Sequence, residues 1–519
     1  MTTLLSVKNR NRIAATAGVV ALSMLATGVA NAGEDPGYRT HRGQPVTVTP
    51  RQTVVSHTNP AHGAVTRNQD GSLRYTPAAG FTGTDSFTYN ETDAVRLYDT
   101  HLPPLGVIGG VPITGGAYGS SLTPVPGGCD EYYGLTDRGP NVDGPNGVKI
   151  EPLPQFDPAI GKFRLVNGKA VLERTIPLRA KDGTPYSGRV STAANTGETI
   201  LDLNGNPLPA DPNGYDSEGL VALPDGTFWV SDEYGPFITH FDRNGRALQR
   251  LSPFDGSLPA ELANRVPNKG MEGLTVTPDG RTLVGIMQSA LQQPDLTKKP
   301  GNVTTLRIVT YDLRSHATHE FLYLLDDPKT NSGAVSEITA LSNTTFLVDE
   351  RDGNVEPGAF KKLFKIDLTG ATDVGPKAAG YDGTKGGLLV GPNKATIDAY
   401  VGTDDTKTAT ADLAKVGITP VSKALDVDLG GLLTGLDPTG GFFGHDKIEG
   451  VATADHGRTI VVSNDNDFGI DGVTNTAPPF QLHVKTTPSG AQDDGEYLAI
   501  DTRKLPAQTK TVTVTVVVR

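Results

Sequence analysis

Short runs in which apolar and polar residues alternate recur along this chain, and glycine and proline separate them. The N-terminal part contains runs such as Val46-Thr47-Val48, and the C-terminal stretch from Thr509 to Val518 alternates strongly. A period of two predicts β-strands, and the glycines and prolines between the runs predict tight turns. The 62 glycines and 38 prolines among 519 residues are spread throughout, so we expect an all-β fold of many short strands.

Residues 38 to 92 form the first compact group of such runs. Alternation over about 55 residues, punctuated by glycine and proline, indicates a small β-sandwich. The stretch from Gly71 to Tyr89 resembles the closing half of cadherin-like and bacterial Ig-like modules, and this resemblance implies a spacer or an adhesive unit that contacts cell-wall or matrix polymers. We therefore assign residues 33–94 to an Ig-like sandwich.

A longer repeat follows Asp93, and each copy contains two hairpins. Two hairpins make a four-stranded sheet, and four-stranded sheets repeated around an axis are propeller blades. Five copies are recognisable, and they begin near Ser120, Glu218, Glu272, Glu337 and Glu449. Because the gaps from 120 to 218 and from 337 to 449 are long, we predict a propeller of six blades over residues 95–519 and leave five or seven open. The run from Thr509 to Val518 either closes the ring or pairs elsewhere.

One polar position recurs at the start of the first strand, and a second recurs 13 to 15 residues later at the end of the second strand. Two short strands joined by a tight turn bring these positions side by side. In a propeller the first strand lines the central channel, so the glutamates should converge near the axis. Carboxylates at close range repel one another unless protons, basic groups or metal ions intervene. Oxygen-rich clusters suit hard cations, calcium above all.

The candidate metal ligands are the acidic residues at and beside these two positions: Glu218, Glu272, Glu337, Glu449, Asp137, Asp232, Glu233, Glu350 and Asp465. Basic residues lie next to them in the sequence, and these are the candidates for binding an anionic substrate: Arg138, Lys269, Arg351 and Lys447. An alternative stays open, in which the acidic residues only tie one blade to the next through backbone hydrogen bonds. His445 and His456 are interpreted as surface or turn residues.

The N-terminus has the organisation of a secretory signal peptide. Lys8, Arg10 and Arg12 precede an apolar run that ends at the small-x-small site Ala30-Asn31-Ala32. We expect residues 1–32 to be removed by cleavage after Ala32 and the protein to be secreted; a signal anchor is the alternative. No later segment is apolar enough to span a bilayer.

Charge and cysteine content narrow the choice of partners. The chain has 46 basic and 58 acidic residues, a net charge of −12, and loss of the three basic residues of the leader makes it about −15. Nucleic acid and anionic membranes are therefore excluded as expected partners, and a small anionic or ester substrate would need bound cations to invert the local field. The single cysteine, Cys129, excludes an internal disulfide.

Residues 95 to 507 resemble the phytase-like domain, a family named for an esterase-like activity of phytase. The segments that carry the resemblance are Tyr133–Asn141, Asp216–Leu220, Trp229–Pro236, Asn268–Leu274 and Lys447–Val451. The resemblance implies a secreted phosphoester or carboxylic ester hydrolase, with its functional positions at Asp137, Glu218, Asp232, Glu233, Glu272, Glu337, Glu350 and Glu449. The first blade departs from the pattern because Ser120-Ser121 stands where other blades have glutamate.

Three functions remain in competition. The leading one is a metal-dependent phosphoester hydrolase in which Glu218, Glu272, Arg138 and Lys269 are catalytic and calcium is bound by the channel carboxylates. The second is a calcium-dependent lactonase or carboxylesterase of the gluconolactonase type, and the third is a non-catalytic extracellular binding propeller. No Gly-x-Ser-x-Gly elbow, His-Glu-x-x-His motif or phosphate loop is present, which disfavours serine-hydrolase, zincin and P-loop mechanisms.

Overall fold

The computed structural model describes residues 37–194 and 197–519. The predicted leader, residues 1–32, lies outside the described residues. The described chain is built mainly from short β-strands, and it forms a small sandwich beside a propeller.

The sandwich packs a four-stranded sheet on a three-stranded one. In spatial order the first sheet consists of Tyr38–Thr40, Lys510–Val518, Gly83–Thr92 and Thr53–His57, and the second of Val46–Val48, Leu73–Pro77 and Gly63–Arg67. Leu73, Tyr75 and Val514 are fully buried between the sheets. The alternation in the sequence therefore marks strands with one buried and one exposed face.

The C-terminal strand belongs to this sandwich, although the sequence placed it with the propeller. Lys510–Val518 pairs antiparallel with Gly83–Thr92, from Lys510 opposite Glu91 to Val518 opposite Gly83. Its valines at 512, 514, 516 and 518 are buried, while the residues between them are exposed or half-buried. The sandwich is thus completed by the last strand of the chain.

Five four-stranded units form the blades of the propeller, and the first strand of each lies innermost. The outermost strands of blades 1 and 5 meet at Lys169 and Asp99, which joins these two blades into one eight-stranded sheet. Blade 1 contains Ser121–Pro124, Glu131–Leu135, Ala159–Val166 and Lys169–Pro177; blade 2 contains Ser217–Ala222, Phe228–Asp232, Ile238–Phe241 and Ala247–Leu251; blade 3 contains Met271–Val276, Thr282–Met287, Thr305–Asp312 and Thr318–Leu324; blade 4 contains Ala334–Ala340, Thr345–Arg351, Lys361–Asp367 and Ser422–Asp428; blade 5 contains Ile448–Ala452, Thr459–Asn464, Glu496–Asp501 and Val95–Asp99.

In the described part of the chain the blades number five, and not the six that the spacing predicted. The innermost strands follow one another around the axis, and the innermost strand of blade 5 lies against that of blade 1, which closes the ring. Val95–Asp99, at the start of the propeller, supplies the outermost strand of blade 5, with Tyr98 opposite Tyr497. The ring is therefore closed by an early strand and not by the C-terminal run.

The long gaps in the repeat hold insertions and not a sixth blade. The gap from 120 to 218 holds a small four-stranded sheet. Val142–Asp143 and Lys149–Glu151 come from within blade 1, and Ile200–Asp202 and Pro207–Leu208 come from the segment that follows it. The gap inside blade 4 forms a sheet of Tyr381–Asp382, Gly387–Val390 and Ala395–Thr396 and the helices Ile397–Val401 and Thr406–Lys415. Further short elements are the hairpins Gly106–Ile108 with Val111–Ile113 and Ile470–Val473 with Leu482–Val484, the helices Pro328–Asn331 and Leu429–Leu436, and six single 3₁₀ turns.

The blades are held together by apolar side chains between adjacent sheets. Phe228 and Trp229 of blade 2 are buried on opposite faces of their strand, as expected, and Trp229 packs in a cluster with residues of blade 3. Within the described ranges, none of the helices has the length and apolar character needed to cross a membrane.

Candidate active site

A β-bulge in the first strand of four blades directs one side chain towards the channel mouth. In blade 2 Ser217 pairs with Asp232 but Leu220 pairs with Val230, so the strand has an extra residue at Glu218. Blades 3, 4 and 5 have the same irregularity at the equivalent place. A bulge bends the strand and re-aims the extra side chain. The bulged positions are occupied by Glu218, Glu272, Ser336 and Glu449.

Glycine follows three of these positions because the next blade packs directly against the strand. A Cβ atom on Gly219 would lie 2.6 Å from the backbone nitrogen of Leu274, and one on Gly273 would lie 2.6 Å from that of Ile338. Separations below 3 Å between such atoms are not tolerated. The Glu-Gly pair thus combines a channel-facing carboxylate with close contact between blades.

Glu337 occupies this glycine position in blade 4, one residue beyond the bulge, and is therefore not a channel-mouth ligand. Its carboxylate is buried in the ring, where it accepts a hydrogen bond from the hydroxyl of Ser121 at 2.5 Å and one from the backbone nitrogen of Leu274 at 3.2 Å. It connects blades 1, 3 and 4. Here the structural alternative from the sequence describes the residue correctly.

The second recurring position also lies one residue later than the spacing suggested. Asp232, Glu350 and their equivalents pair with the first strand and point between the blades. Asp232 accepts hydrogen bonds from the backbone nitrogens of Tyr234 at 2.6 Å and Gly235 at 3.2 Å. Glu350 accepts hydrogen bonds from the ammonium group of Lys423 and the hydroxyl of Tyr323. Since strand side chains alternate, the next residue faces the channel. These next residues are Asp137, Glu233, Gln288, Arg351 and Asp465.

A cavity of about 680 Å³ opens at this end of the ring. It is lined by 13 acidic and five basic residues, an excess of negative charge. The acidic ones are Asp137, Asp143, Glu198, Asp216, Glu218, Glu233, Glu272, Asp352, Asp446, Glu449, Asp465, Asp467 and Asp471, and the basic ones are Arg138, Lys149, Lys269, Arg351 and Lys447. Of the predicted ligands, only Asp232, Glu337 and Glu350 lie outside it.

Three carboxylates in the cavity stand close enough to share one ion. Asp216, Glu218 and Glu233 each place an oxygen within 4.8 Å of the others, and all three are buried. Glu218 and Asp216 lie two residues apart, at the start of the first strand of blade 2, and Glu233 follows the second strand. Burial, followed by repulsion from neighbouring carboxylates, raises the pKa of Glu218 and of Glu233 well above the usual value.

Glu272 faces this carboxylate trio from blade 3. Burial raises its pKa to about 7, and one of its oxygens is buried without a hydrogen-bond partner in the described structure. The amide of Gln288 donates to Glu233 at 2.7 Å. Asn268, turned so that its amide nitrogen faces the trio, donates to Asp216 at 2.6 Å and Glu233 at 3.2 Å. In the opposite orientation its oxygen faces the same point and offers a further ligand.

Most cations of the cavity are already paired. Arg138 donates to Glu198 and Asn141, both at 2.9 Å, and Arg351 is paired with Glu449. Lys447 lies 3.0 Å from Asp465 and 2.5 Å from Asp467. Lys269, by contrast, donates to the neutral amide of Gln288 at 2.8 Å. In the described structure Lys269 has no carboxylate within ion-pair distance, so its ammonium group is available to bind an anionic ligand.

A buried ionic network continues from Lys447 into blade 5. Asp467 also binds Lys485 at 2.7 Å, and Lys485 lies 2.7 Å from Asp446. His445 is 2.9 Å from both Asp493 and Glu496. It is therefore an ion-paired core residue and not the surface or turn residue that the sequence suggested. His456 does lie in a turn and contacts the carbonyl of Leu341 at 2.8 Å.

The sequence reasoning missed many of the polar cavity residues, among them Asp216, Asn268, Gln288 and Asp467. Asp216 precedes Glu218 by two positions, so strand alternation could have placed both on one face. Gln288 is equivalent to Glu233 once the bulge is counted. Asn268 and Asp467 lie in loops, where no periodic pattern reveals which way a side chain points.

Residues 15–101 match the bacterial Ig domain, and a secreted protein from Arthroderma benhamiae, described as uncharacterized, is 32% identical over 230 residues. That match covers 35% of this chain and 45% of the relative, so the chain spans less than half the length of the relative.

Several solved structures are similar over most of their length. A protein from Lactobacillus plantarum has a TM-score of 0.30 at 10% identity, with 80% of this chain and 99% of the other covered. Virginiamycin B lyase from Staphylococcus aureus has a TM-score of 0.28 at 12% identity, covering 78% and 99%. Regucalcin from Agrobacterium tumefaciens, a calcium-binding protein, has a TM-score of 0.24 at 14% identity, covering 63% and 96%.

The family itself is shown by the sequence that builds the propeller and its cavity. The profile described as "Esterase-like activity of phytase" matches residues 114–468, which run from before blade 1 to beyond the first two strands of blade 5. This match extends over more than half of the chain and includes the carboxylate trio, Glu272 and Lys269. The chain therefore belongs to the phytase-like family and carries an Ig-like module.

Proposed function

We propose that this protein is a secreted, metal-dependent hydrolase of phosphoesters whose active site is the cavity at the mouth of the propeller. The observation that carries the proposal is the carboxylate trio Asp216, Glu218 and Glu233, whose oxygens lie within 4.8 Å of one another in a buried setting. Three buried carboxylates cannot all be ionised without compensating cations, and Arg138, 3.8 Å from Asp216, offsets only one of the three charges.

The residues fit a hard divalent cation, and calcium is the proposed ion. The donors are all oxygens, the neighbouring Glu272 keeps a buried oxygen without a partner, and Asn268 can turn its amide oxygen to the same point. When bound, such an ion would polarise a phosphoester and lower the pKa of a coordinated water.

The protein's own residues would then position the substrate and move protons. Lys269 is placed to contact the phosphate because its charge is not neutralised by a carboxylate of the described chain. Glu272 is placed to accept a proton from an attacking water. Arg138, held by Glu198 and Asn141, would stabilise the charge that develops on the phosphate oxygens.

The test is hydrolysis by the purified mature protein with and without a chelator. The substrates should be a phosphomonoester, a phosphodiester, a lactone and a carboxylic ester. We expect calcium-dependent turnover of a phosphoester and a loss of about a hundred-fold or more in Glu218→Gln, the size of effect expected when a central charge-stabilising group is removed. Glu173→Gln, which changes a blade 1 carboxylate that does not line the cavity, is the matched control and should retain full activity.

Two results would reject this proposal. One is the absence of turnover on every phosphoester, with a melting temperature that the chelator leaves unchanged. The other is full activity in Glu218→Gln. Turnover of the lactone alone would instead assign the cavity to the lactonase reaction, and calcium binding without turnover would favour a binding propeller.

Recovery of the protein from the culture medium with an N-terminus at Gly33 would test secretion and cleavage after Ala32.

A further inference from the structure

A second cavity, of about 490 Å³, lies where the sandwich meets the propeller. Its volume is within the range of small-molecule sites, roughly 300–1000 Å³. One wall comes from the sandwich loop around Arg51 and the strand end at Arg67; the other comes from Arg96 on the outermost strand of blade 5 and from the turn at Asn167 in blade 1. We refer to this cavity as the junction groove.

Three arginines from three separate segments line the junction groove. In the described part of the chain neither Arg51 nor Arg96 forms an ion pair with a carboxylate. Arg67 reaches Asp99 only at 4.0 Å, and its Nε atom is buried without a hydrogen-bond partner. The groove therefore presents two guanidinium groups without a carboxylate partner among the described residues, Arg51 and Arg96, although Arg96 hydrogen-bonds to the side chain of Tyr98. The third, that of Arg67, is only loosely paired.

The acidic residues of the junction groove do not neutralise these arginines. Of the two that line it, Asp70 accepts hydrogen bonds from the backbone nitrogen of Ser72 at 3.0 Å and from its hydroxyl at 2.6 Å. Asp130, the other, forms no ion pair with any of the three arginines in the part of the chain that the structure describes. The junction groove is thus lined by three basic and two acidic residues, an excess of positive charge in a protein whose net charge is −12.

The walls of the junction groove are rigid and polar. The carbonyl of Gly168 accepts a hydrogen bond from the backbone nitrogen of Asp99 at 3.0 Å, and the backbone nitrogens of Arg51 and Gln52 each donate to Glu91 at 3.1 Å. Thr49, Gln52 and Asn167 add uncharged polar side chains to the lining. A preformed site with guanidinium groups and amide or hydroxyl groups suits an anion that also carries hydroxyls.

We propose that the junction groove binds an acidic saccharide unit, a sugar that carries a carboxylate or phosphate group. The guanidinium groups of Arg51, Arg67 and Arg96 would bind the anionic group, and the uncharged polar side chains would bind the ring hydroxyls. The Ig-like module and the propeller would then hold the ligand jointly. This inference does not depend on the reaction at the propeller mouth.

Titration calorimetry on the full mature protein tests the inference with three probes: trigalacturonate, glucose 6-phosphate and the neutral sugar galactotriose. We expect at least one charged probe to bind and galactotriose not to bind. Arg67→Gln and Arg96→Gln should each weaken binding at least ten-fold. Arg74→Gln, which removes an exposed arginine of the sandwich that does not line the groove, should bind as the wild type does.

The two charged probes distinguish the source of the anion. Binding of trigalacturonate alone identifies a uronate, and binding of glucose 6-phosphate alone identifies a sugar phosphate. Equal binding of galactotriose, an equal loss in Arg74→Gln, or no binding of either charged probe would overturn the inference. If Arg67→Gln disturbs the junction and lowers the melting temperature, Arg96→Gln, whose side chain is exposed, still decides the question. Phosphoester hydrolysis should be unchanged in both variants.

Discussion

At the scale of single residues, a shift of one position separates a channel ligand from a core residue. Glu272 sits on a bulge and faces the cavity, whereas Glu337, one position further along the equivalent strand, is buried against Ser121. A visible difference in the sequence accompanies the shift, because glycine follows Glu272 and isoleucine follows Glu337. In blade 3 the position after the bulge must be glycine because the backbone of blade 4 lies directly against it. In blade 4 the equivalent position is Glu337, whose carboxylate links neighbouring blades.

We predict that Gly273→Ala destabilises the propeller. The new methyl group would lie 2.6 Å from the backbone nitrogen of Ile338, and neither strand can move without breaking its sheet. Overpacking of this kind costs typically 1–3 kcal/mol. Urea denaturation measures the loss; Gly301→Ala, at a position where an added Cβ meets nothing within 4 Å, is the control and should change stability little.

Lys269 gives a second prediction at this scale. Lys269→Met keeps the approximate length of the side chain but removes a positive charge that no carboxylate neutralises. Because this charge is proposed to bind the phosphate, we expect the KM for a phosphoester to rise about ten-fold or more with a smaller change in kcat. Steady-state kinetics provide the measurement. Lys149→Met, at a lysine already paired with Asp143 at 2.6 Å, is a matched variant in the same cavity, and an equal effect there would show that Lys269 has no special role.

At the scale of elements, the segment between the second and third strands of blade 5, residues 465–495, carries charged side chains that pair with Lys447. Lys485 lies next to the strand Leu482–Val484 and is buried between Asp467 and Asp446. Lys485→Met would leave two partly buried carboxylates without this partner. Breaking a fully buried pair costs about 3–5 kcal/mol, and we expect a smaller loss here because both carboxylates are partly exposed. We expect a lower melting temperature and, since Asp467 also holds Lys447, a raised KM. Lys510→Met, an exposed lysine of the sandwich, should show neither effect.

His445 precedes the first strand of blade 5 and gives that blade a pH dependence through its contacts with Asp493 and Glu496. Burial alone would lower its pKa, but the carboxylates of Asp493 and Glu496 outweigh burial and raise it to about 10. A pKa raised in the folded state stabilises the fold fully below the unfolded value near 6.5 and loses that contribution as the pH rises to 10. We expect the stability difference between wild type and His445→Gln to shrink over this window, on the order of 1.4 kcal/mol for each pH unit. Urea midpoints at pH 6.5, 8 and 10 measure it, and a constant difference would contradict the assignment.

The sequence predicted the repeated hairpins well because their pattern is local. The Glu-Gly and turn motifs recur with the strands, and alternation identified the sandwich and its last strand as strands. The direction in which the side chains of Asp232 and Glu350 point could not be predicted. A bulge changes the strand register without changing the pattern of apolar and polar residues in the sequence. Asn268 was missed for a related reason, since its position beside the carboxylate trio depends on a loop.

At the scale of the whole molecule, two strands that are far apart in the chain complete different domains. Val95–Asp99 closes the propeller, and Lys510–Val518 completes the sandwich. The spacing of the repeats could not reveal the blade count, because insertions and blades have similar lengths. Nor could the alternation of residues 509–518 reveal which sheet the strand joins, since both available edges accept a strand with one buried face.

This arrangement predicts the outcome of removing the C-terminal strand. A chain that ends at Gln508 loses the strand that pairs with the whole of Gly83–Thr92 and exposes the buried sandwich residues Phe87 and Tyr89. We expect the sandwich to unfold and become sensitive to protease, while the propeller stays closed because Val95–Asp99 still pairs with Glu496–Asp501. Limited proteolysis should therefore remove the sandwich and leave a resistant fragment of residues 95 to 508, and phosphoester hydrolysis should persist in it. Binding of acidic saccharides should be lost in the same fragment, because Arg51 and Arg67 go with the sandwich. Loss of hydrolysis together with the sandwich would mean that the propeller depends on the module for its closed form.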